Sequence, residues 1–307
     1  MTDNASADSN AGEQRVLLAS TVLTVVFAVG GIMLGLLAGS MAIVFDGLFA
    51  FVDVAMALLS LFVARLVTRE GDRRFQYGFW HIEPMALAFN GGLLVMLSIY
   101  ALVTAVGSLL SGGEQIALGW AMGYAGASAI MGLGMYAYER VAGIRLRSDF
   151  VALDRKGWLM TGLAGLALMV AFGVAWGLEH TAWAWLAPYV DPVALVALSL
   201  AFIPLPIGIL KQAVSEVLLM APPGLDADTR AAMDEVIERH GFRGYTSYVA
   251  KVGRGRFIEV HVLLEPGYEV GTVDELDAIR GEIAEALDAS WPSAWLTVSF
   301  TADGDWA

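Results

Sequence analysis

Long apolar segments dominate the first 220 residues of the chain. They cover approximately residues 16–37, 41–66, 83–110, 118–138, 150–178 and 192–219. Each is near or above the ~20 residues that a helix needs to cross a hydrocarbon core of about 30 Å. Because lipid offers no hydrogen bonds to backbone groups, such segments are expected to be helices rather than open strands. The pattern predicts an α-helical membrane bundle of six transmembrane helices over residues 16–220.

From residue 221 to residue 307 the pattern is that of a small soluble domain. Helical periodicity over residues 226–240 and 272–289 alternates with strand periodicity over residues 245–251, 256–264 and 294–301. This order predicts an α+β domain (αββαβ), a sheet with both helices on one face. Residues 1–15 are polar and rich in small side chains, so we expect a disordered cytoplasmic tail.

Composition and charge exclude several classes of function. Hydrophobic residues make up 57% of the chain and the net charge is −13, which argues against a nucleic-acid partner. The chain has no cysteine, so it has neither a thiolate zinc site nor thiol catalysis. It also lacks the His-Glu-x-x-His and Gly-x-Ser-x-Gly motifs. The chain is therefore expected not to be an enzyme.

Positive charges predict how the bundle is oriented. Arginines cluster after the second and fourth apolar segments, whereas the other connections between segments carry no Lys or Arg. The clusters consist of Arg65, Arg69, Arg73 and Arg74, and of Arg140, Arg145 and Arg147. By the positive-inside rule, these loops, both termini and the C-terminal domain face the cytoplasm. The expected location is the inner (cytoplasmic) membrane.

Ionisable side chains inside membrane helices are costly and usually functional. Asp46 and Asp53 lie two turns apart on the second segment, so they share a helical face with a separation of roughly 10 Å. Asp154 lies near the start of the fifth segment, and Asn90 on the third adds a neutral oxygen. Oxygen ligands of this kind hold divalent cations. We therefore predict a cation site with Asp53 at its centre and with Asp46, Asp154 and Asn90 as further ligands.

Other interpretations of the same residues stay open. Asp46 could be solvated at the outer mouth of the bundle, and Asp154 could form an interfacial charge cluster with Arg155 and Lys156. In the strongest alternative, Arg155 or Lys156 neutralises Asp53 and no metal binds. The protein would then be a non-transporting membrane scaffold or regulator.

Three stretches resemble the cation diffusion facilitator family. Helix two carries Phe45-Asp46-Gly47-Leu48 and Asp53, and Tyr77-Gly78-Phe79-Trp80-His81-Ile82-Glu83 stands in place of the family's Phe-Gly-His-Gly-Lys-x-Glu. In the C-terminal domain, Phe257-Ile258-Glu259-Val260-His261 is similar to the family's central strand. The resemblance covers nearly the whole chain. It implies six helices, cytoplasmic termini and a ferredoxin-like (metallochaperone-like) C-terminal domain.

The transport site departs from the family pattern. The family has an Asp or His four residues before the second Asp of helix two, where this chain has Phe49. On helix five the family's His is missing, and Asp154 is the only carboxylate at that depth. An oxygen-only ligand set suits Mn, Fe(II), Mg or Ca better than it suits Zn, which usually recruits His or Cys.

The family's other zinc sites are also altered. Its loop site, formed by an Asp and two His, corresponds here to Asp72, Phe75 and Phe79. In the C-terminal domain, the His expected on the last strand is replaced near Phe300, which leaves His240 and His261. Because a zinc site needs three or four ligands, we expect no strong zinc site there.

These observations predict a secondary transporter that exports a divalent metal cation (Mn, Fe, Mg or Zn) from the cytoplasm in exchange for protons. The metal would be substrate, and no tightly bound cofactor is expected. Apart from metal ions, protons and membrane lipid, the expected partner is a second copy of the chain, joined through the C-terminal domain as a homodimer. That domain has a net charge of roughly −9, which would concentrate cations at the inner entrance.

Overall fold

The computed structural model describes residues 2–67, 75–76, 78–146, 149–253, 255–269, 271–289 and 294–306. It consists of two compact units. The first combines Met1–Leu59 with Asn90–Ile207, and the second combines Ser60–Phe89 with Gly208–Ala307.

The membrane part of the chain is entirely helical. Its elements are α1 (Thr2–Ala38), α2 (Met41–Val67), α3 (Ile82–Leu110), α4 (Leu118–Leu146), α5 (Asp149–Glu179), a short 3-10 helix (Ala184–Tyr189), α6 (Val190–Phe202) and α7 (Pro204–Val217). The predicted helical membrane bundle is confirmed. The sixth predicted segment is divided between α6 and α7, because Pro204 has no backbone N–H to continue the helix and instead begins a new one.

Helix α1 differs from the expectation at its start. It begins at Thr2, so the residues assigned to a disordered tail are helical here. Extending an existing helix by one residue fixes fewer dihedral angles than nucleating a new one. The alanines and the glutamate of this segment are also good helix formers, so the apolar helix can continue backwards into it.

Within the described residues, five stretches are long and apolar enough to cross a membrane, where the sequence predicted six. They are Gln14–Ala38, Met41–Val63, Ile82–Leu110, Asp154–Glu179 and Ala184–Val217. Helix α4 does not qualify, because glycine, alanine and tyrosine replace much of the aliphatic content that the other helices have. Bulky apolar side chains such as Leu58 and Val170 are exposed on the bundle, as expected of a surface that faces lipid.

Helices α4 and α5 form an antiparallel pair with very close backbones. A Cβ atom on Gly132 would lie 2.4 Å from the nitrogen of Gly162. A Cβ atom on Gly165 would lie 2.5 Å from the nitrogen of Ala129. Small residues allow this approach, and helix association in membranes depends on such packing. The two contacts also establish the register of the pair, with residues near 129 opposite 165 and residues near 132 opposite 162.

The C-terminal elements are α8 (Pro223–His240), β1 (Gly244–Val252), β2 (Gly255–Leu263), α9 (Val273–Ala286) and β3 (Ala294–Thr301), and a 3-10 turn follows at Gly304–Trp306. The sheet order is β1-β2-β3, with β1 and β2 antiparallel and β2 and β3 parallel. Its core includes Met233 of α8, Ile283 of α9 and Val260 of β2, all fully buried. The predicted αββαβ domain is confirmed.

The end of α7 and the residues just before α3 contact the hairpin formed by β1 and β2. The Glu216 carboxylate at the end of α7 accepts a hydrogen bond from the backbone N–H of Gly253 at 3.0 Å. Its other oxygen lies 3.6 Å from Nζ of Lys251. The Trp80 ring, just before α3, meets the Phe257 ring edge-on with 5.4 Å between centroids. The ends of α3 and α7 are therefore fastened to the same β-hairpin.

A buried carboxylate holds the start of α2. Asp191, 1% exposed, accepts hydrogen bonds from the Ser40 hydroxyl and from the backbone N–H groups of Met41 and Ala42, the latter two at 3.1 and 3.4 Å. The two backbone N–H groups are among the donors that a helix start leaves unsatisfied. Asp191 thus caps α2 from the start of α6.

Removing this cap should destabilise the bundle. Asp191→Ala leaves buried N–H and O–H groups without an acceptor, so we expect a loss of about 1–3 kcal/mol in the free energy of unfolding. Thermal unfolding of the purified protein in detergent measures the effect, with Glu179→Ala, an exposed carboxylate at the end of α5, as control. Equal melting of wild type and Asp191→Ala would show that the cap is not needed.

Candidate metal site

A cavity of about 390 Å³ in the first unit brings three of the predicted ligands together. Asp46 and Asp53 of α2 and Asp154 of α5 all line it. Further oxygens come from hydroxyl side chains of α1 and α5, namely Ser20, Thr21, Thr24 and Thr161. The rest of the lining is largely apolar, so the oxygen donors are the acidic groups on two helices and these hydroxyls, which are ligands that suit a hard cation.

Asp46 is held by a partner that the sequence did not indicate. Its carboxylate accepts a hydrogen bond from the phenol of Tyr124 on α4 at 2.7 Å, and Tyr124 is buried. An aromatic residue within an apolar helix gives no local signal of such a contact. Asp46 is therefore partly satisfied without an ion.

Asp53 differs from Asp46 in its surroundings. It lines the cavity with its side chain accessible from the opening. The described ion pairs include none between Asp53 and Arg155 or Lys156, and Lys156 is exposed. The neutralising contact on which the scaffold interpretation depends is thus not seen in the described part of the chain.

Asp154 lies beside a fourth carboxyl group, that of Glu139 on α4. Glu139 is fully buried. Sequence reasoning missed it, because the predicted fourth helix ended one residue earlier, at Tyr138, whereas α4 continues to Leu146. The signal would have been an ionisable residue within a membrane helix, had the predicted helix extended past Tyr138.

Asn90 is not among the residues that line the cavity. Its side-chain oxygen is buried on α3 without a hydrogen-bond partner among the described residues. No group of three or more His, Asp or Glu in the described chain is close enough to hold a metal ion. An ion in the cavity would therefore need hydroxyl groups or water to complete its coordination shell.

The two C-terminal histidines have separate partners. Nε2 of His240 lies 2.8 Å from a carboxylate oxygen of Glu282, and this hydrogen bond lowers the pKa of Glu282. Nδ1 of His261 lies 2.7 Å from the Ser299 hydroxyl. Ser299 is also its register partner on β3, next to Phe300, near which the sequence places the missing histidine.

The loop positions of the family's second zinc site are only partly visible. Asp72 lies outside the described residues. The rings of Phe75 and Phe79 contact one another with 4.8 Å between centroids. Neither ring offers a donor atom to a metal.

Residues 17–218 match the model of the cation efflux transmembrane domain. The chain belongs to the cation efflux family. This confirms the resemblance to the cation diffusion facilitators, and the protein is an integral membrane protein.

Three relatives show how far the similarity to other cation efflux proteins extends. The cation efflux system protein CzcD of Alcaligenes sp. is 25% identical over 226 residues, covering 72% of this chain and 67% of the relative. The manganese efflux system protein MneP of Bacillus subtilis is 25% identical, covering 59% of this chain and 60% of the relative. The magnetosome protein MamB of Magnetospira sp. is 22% identical, with 83% and 85% covered.

The C-terminal histidines are predicted to hold no zinc. His240 lies near the Glu282 carboxylate and His261 near that of Glu259. Neither histidine belongs to a group of three or more potential metal ligands among the described residues. A full-length His240→Gln, His261→Asn double variant should therefore bind zinc with the same stoichiometry as wild type, since a zinc site needs three or four ligands. Metal content after equilibrium dialysis checks this. Loss of one zinc per chain in the variant would identify these histidines as ligands.

Proposed function

We propose that this cation efflux protein is a secondary transporter that exports divalent metal cations from the cytoplasm in exchange for protons. The observation that carries the proposal is the cavity lined by Asp46, Asp53 and Asp154 from α2 and α5. A carboxylate inside a membrane helix is expensive unless an ion accompanies it. Relatives named for cation and manganese efflux support the same substrate class.

Asp53 is proposed as the central ligand, because it is the cavity carboxylate with open access. Asp154 completes the site from α5, and Asp46 contributes one oxygen while Tyr124 holds the other. Asn90 lies one turn before Leu94, which lines the cavity from α3, but it does not line the cavity itself, so it is the weakest member of the proposed set.

The ligand chemistry favours hard cations. The described residues that line the cavity include no histidine, and the chain has no cysteine. Mn²⁺, Fe²⁺ and Mg²⁺ accept all-oxygen shells, whereas Zn²⁺ usually takes nitrogen or sulfur. We therefore rank manganese, iron and magnesium above zinc.

Proton exchange follows from the same groups. A carboxylate binds either a metal ion or a proton, so protons that enter from outside can displace the cation and be displaced by it. Alternating access to a fixed site then couples the two flows. No additional cofactor is required.

The C-terminal domain is proposed to join two copies and to attract cations. Its net charge of roughly −9 raises the local cation concentration at the cytoplasmic side. A two-fold dimer is the commonest assembly for such a domain. In this arrangement both termini are cytoplasmic and the bundle lies in the inner membrane.

Asp53→Asn should abolish metal flux while the protein stays folded. The amide keeps the size of the side chain but removes the charge that binds a dehydrated cation. Flux into proteoliposomes, followed with a fluorescent metal indicator, measures the effect for Mn²⁺, Fe²⁺, Mg²⁺ and Zn²⁺. Glu179→Gln, at the exposed end of α5, is the matched control.

A Lys156→Ala variant separates the transporter from the scaffold. Removal of an exposed lysine should leave flux unchanged or raise it if Asp53 binds metal. Destabilisation by Lys156→Ala, together with normal flux in Asp53→Asn, would favour a structural Asp–Lys pair and end the transport-site assignment.

Cysteine labelling tests the proposed orientation, because the chain has no native cysteine. Ser111, after α3, should face outside, and Asp228, on α8, should face the cytoplasm; both are exposed. In intact cells an impermeant maleimide should label Ser111→Cys and not Asp228→Cys. The reverse labelling pattern would place both termini outside.

A further inference from the structure

We propose that Glu139 of α4 is a ligand of the transported cation, which it binds together with Asp154 at the inner end of the cavity. This inference rests on the proposed transport function. It adds a third helix to a site so far built from α2 and α5.

Close packing of α4 against α5 places the two carboxyl groups at the same level. The pair runs antiparallel, with Ala129 opposite Gly165 and Gly132 opposite Gly162. Towards the other end, a Cβ atom on Gly143 would lie 3.5 Å from the Val151 side chain. This constant register brings residue 139 level with residues 154 and 155.

In the described part of the chain no donor group is bonded to Glu139, and the Asp154 carboxyl is within hydrogen-bonding reach of it. The residue is 0% exposed, and both carboxylate oxygens are buried without a hydrogen-bond partner among the described residues. Asp154, which does line the cavity, likewise has one buried oxygen without a partner. Buried polar groups are almost always hydrogen-bonded, so either a shared proton or a bound cation must satisfy these three oxygens.

The charges around Glu139 and Asp154 favour a bound cation. Glu139 lies beside Asp154, and Arg155 is a positive group of the described chain that acts on it. Arg155 makes no hydrogen bond to either oxygen of Glu139. Two adjacent carboxylates out of water are unfavourable unless a proton or another positive charge lies between them. A divalent cation provides that charge and accepts all three free oxygens as ligands.

The location suits the first step of export. Asp154 is within two turns of the start of α5, and Glu139 is two turns before the end of α4, so the pair lies at the arginine-rich end of both helices. A cation that enters there meets Glu139 and Asp154 before it reaches Asp53. Asp154 then belongs to both binding points and can pass the ion from one to the other.

The test measures metal binding and metal flux separately. Full-length wild type, Glu139→Gln, Asp154→Asn and the double variant are purified in nanodiscs and titrated with Mn²⁺, Mg²⁺ and Zn²⁺ by calorimetry. Glu139→Gln should weaken binding of the transported metal by about 10- to 100-fold, the range seen even when only a supporting partner of a metal ligand is lost. The double variant should be little weaker than either single one, because the two residues act on one ion.

Controls distinguish the possible failures. Glu179→Gln should bind like wild type. If Glu139→Gln does not fold, Glu139→Leu replaces it, since a buried position of this kind usually tolerates an apolar side chain of similar size. Binding within about twofold of wild type in either folded variant overturns the inference and indicates a carboxyl pair that holds only a proton. In that case wild-type flux still supports the proposed function, whereas absence of binding and flux in wild type would overturn both.

Discussion

The cost of a carboxylate among apolar helices governs this bundle. Asp191 is satisfied by the protein itself at the start of α2, and Asp46 is partly satisfied by the Tyr124 phenol. Asp154 and Glu139 have buried oxygens without a hydrogen-bond donor among the described residues, and Asp53 lines the cavity. Asp191 can be explained by stability alone. The other acids are tolerable in a membrane only if a proton or a cation neutralises them, and on the proposed function the exchange of one for the other connects the fold to transport.

Packing between α4 and α5 decides where those unsatisfied oxygens lie. Gly132, Gly162 and Gly165 allow the two backbones to touch, and the register that follows sets Glu139 against Asp154. Gly132 and the other glycines of α4, together with its alanines and tyrosines, lower the apolar character of this helix, which is why it falls short of a membrane span by composition. Although it is poor in aliphatic residues, α4 gains stability on one side from its close packing against α5.

Local pattern predicted the elements well and the contacts between them poorly. The periodicities of helices and strands depend on residues that are close in sequence, so the membrane helices and the αββαβ domain could be derived directly. The shared face of Asp46 and Asp53 follows from helical geometry alone. The partnerships of Asp46 with Tyr124 and of Glu139 with Asp154 depend on the rotation and register of separate helices, which no local pattern encodes. Asn90 illustrates the same limit, because its position on α3 says nothing about which side of that helix faces the cavity.

A transporter also has to release its ion, and the dispersed ligand set is consistent with that need. No three acidic or histidine side chains in the described chain form a ready cage for a metal. Binding that is too strong would trap the cation. A transport pathway therefore needs sites that bind the ion strongly enough for it to enter and weakly enough for it to leave. The ligands proposed on α2 and on the α4–α5 pair would close around an ion and separate again when these helices move against each other, as alternating access demands. On the proposed function, the incomplete site is therefore a requirement of turnover.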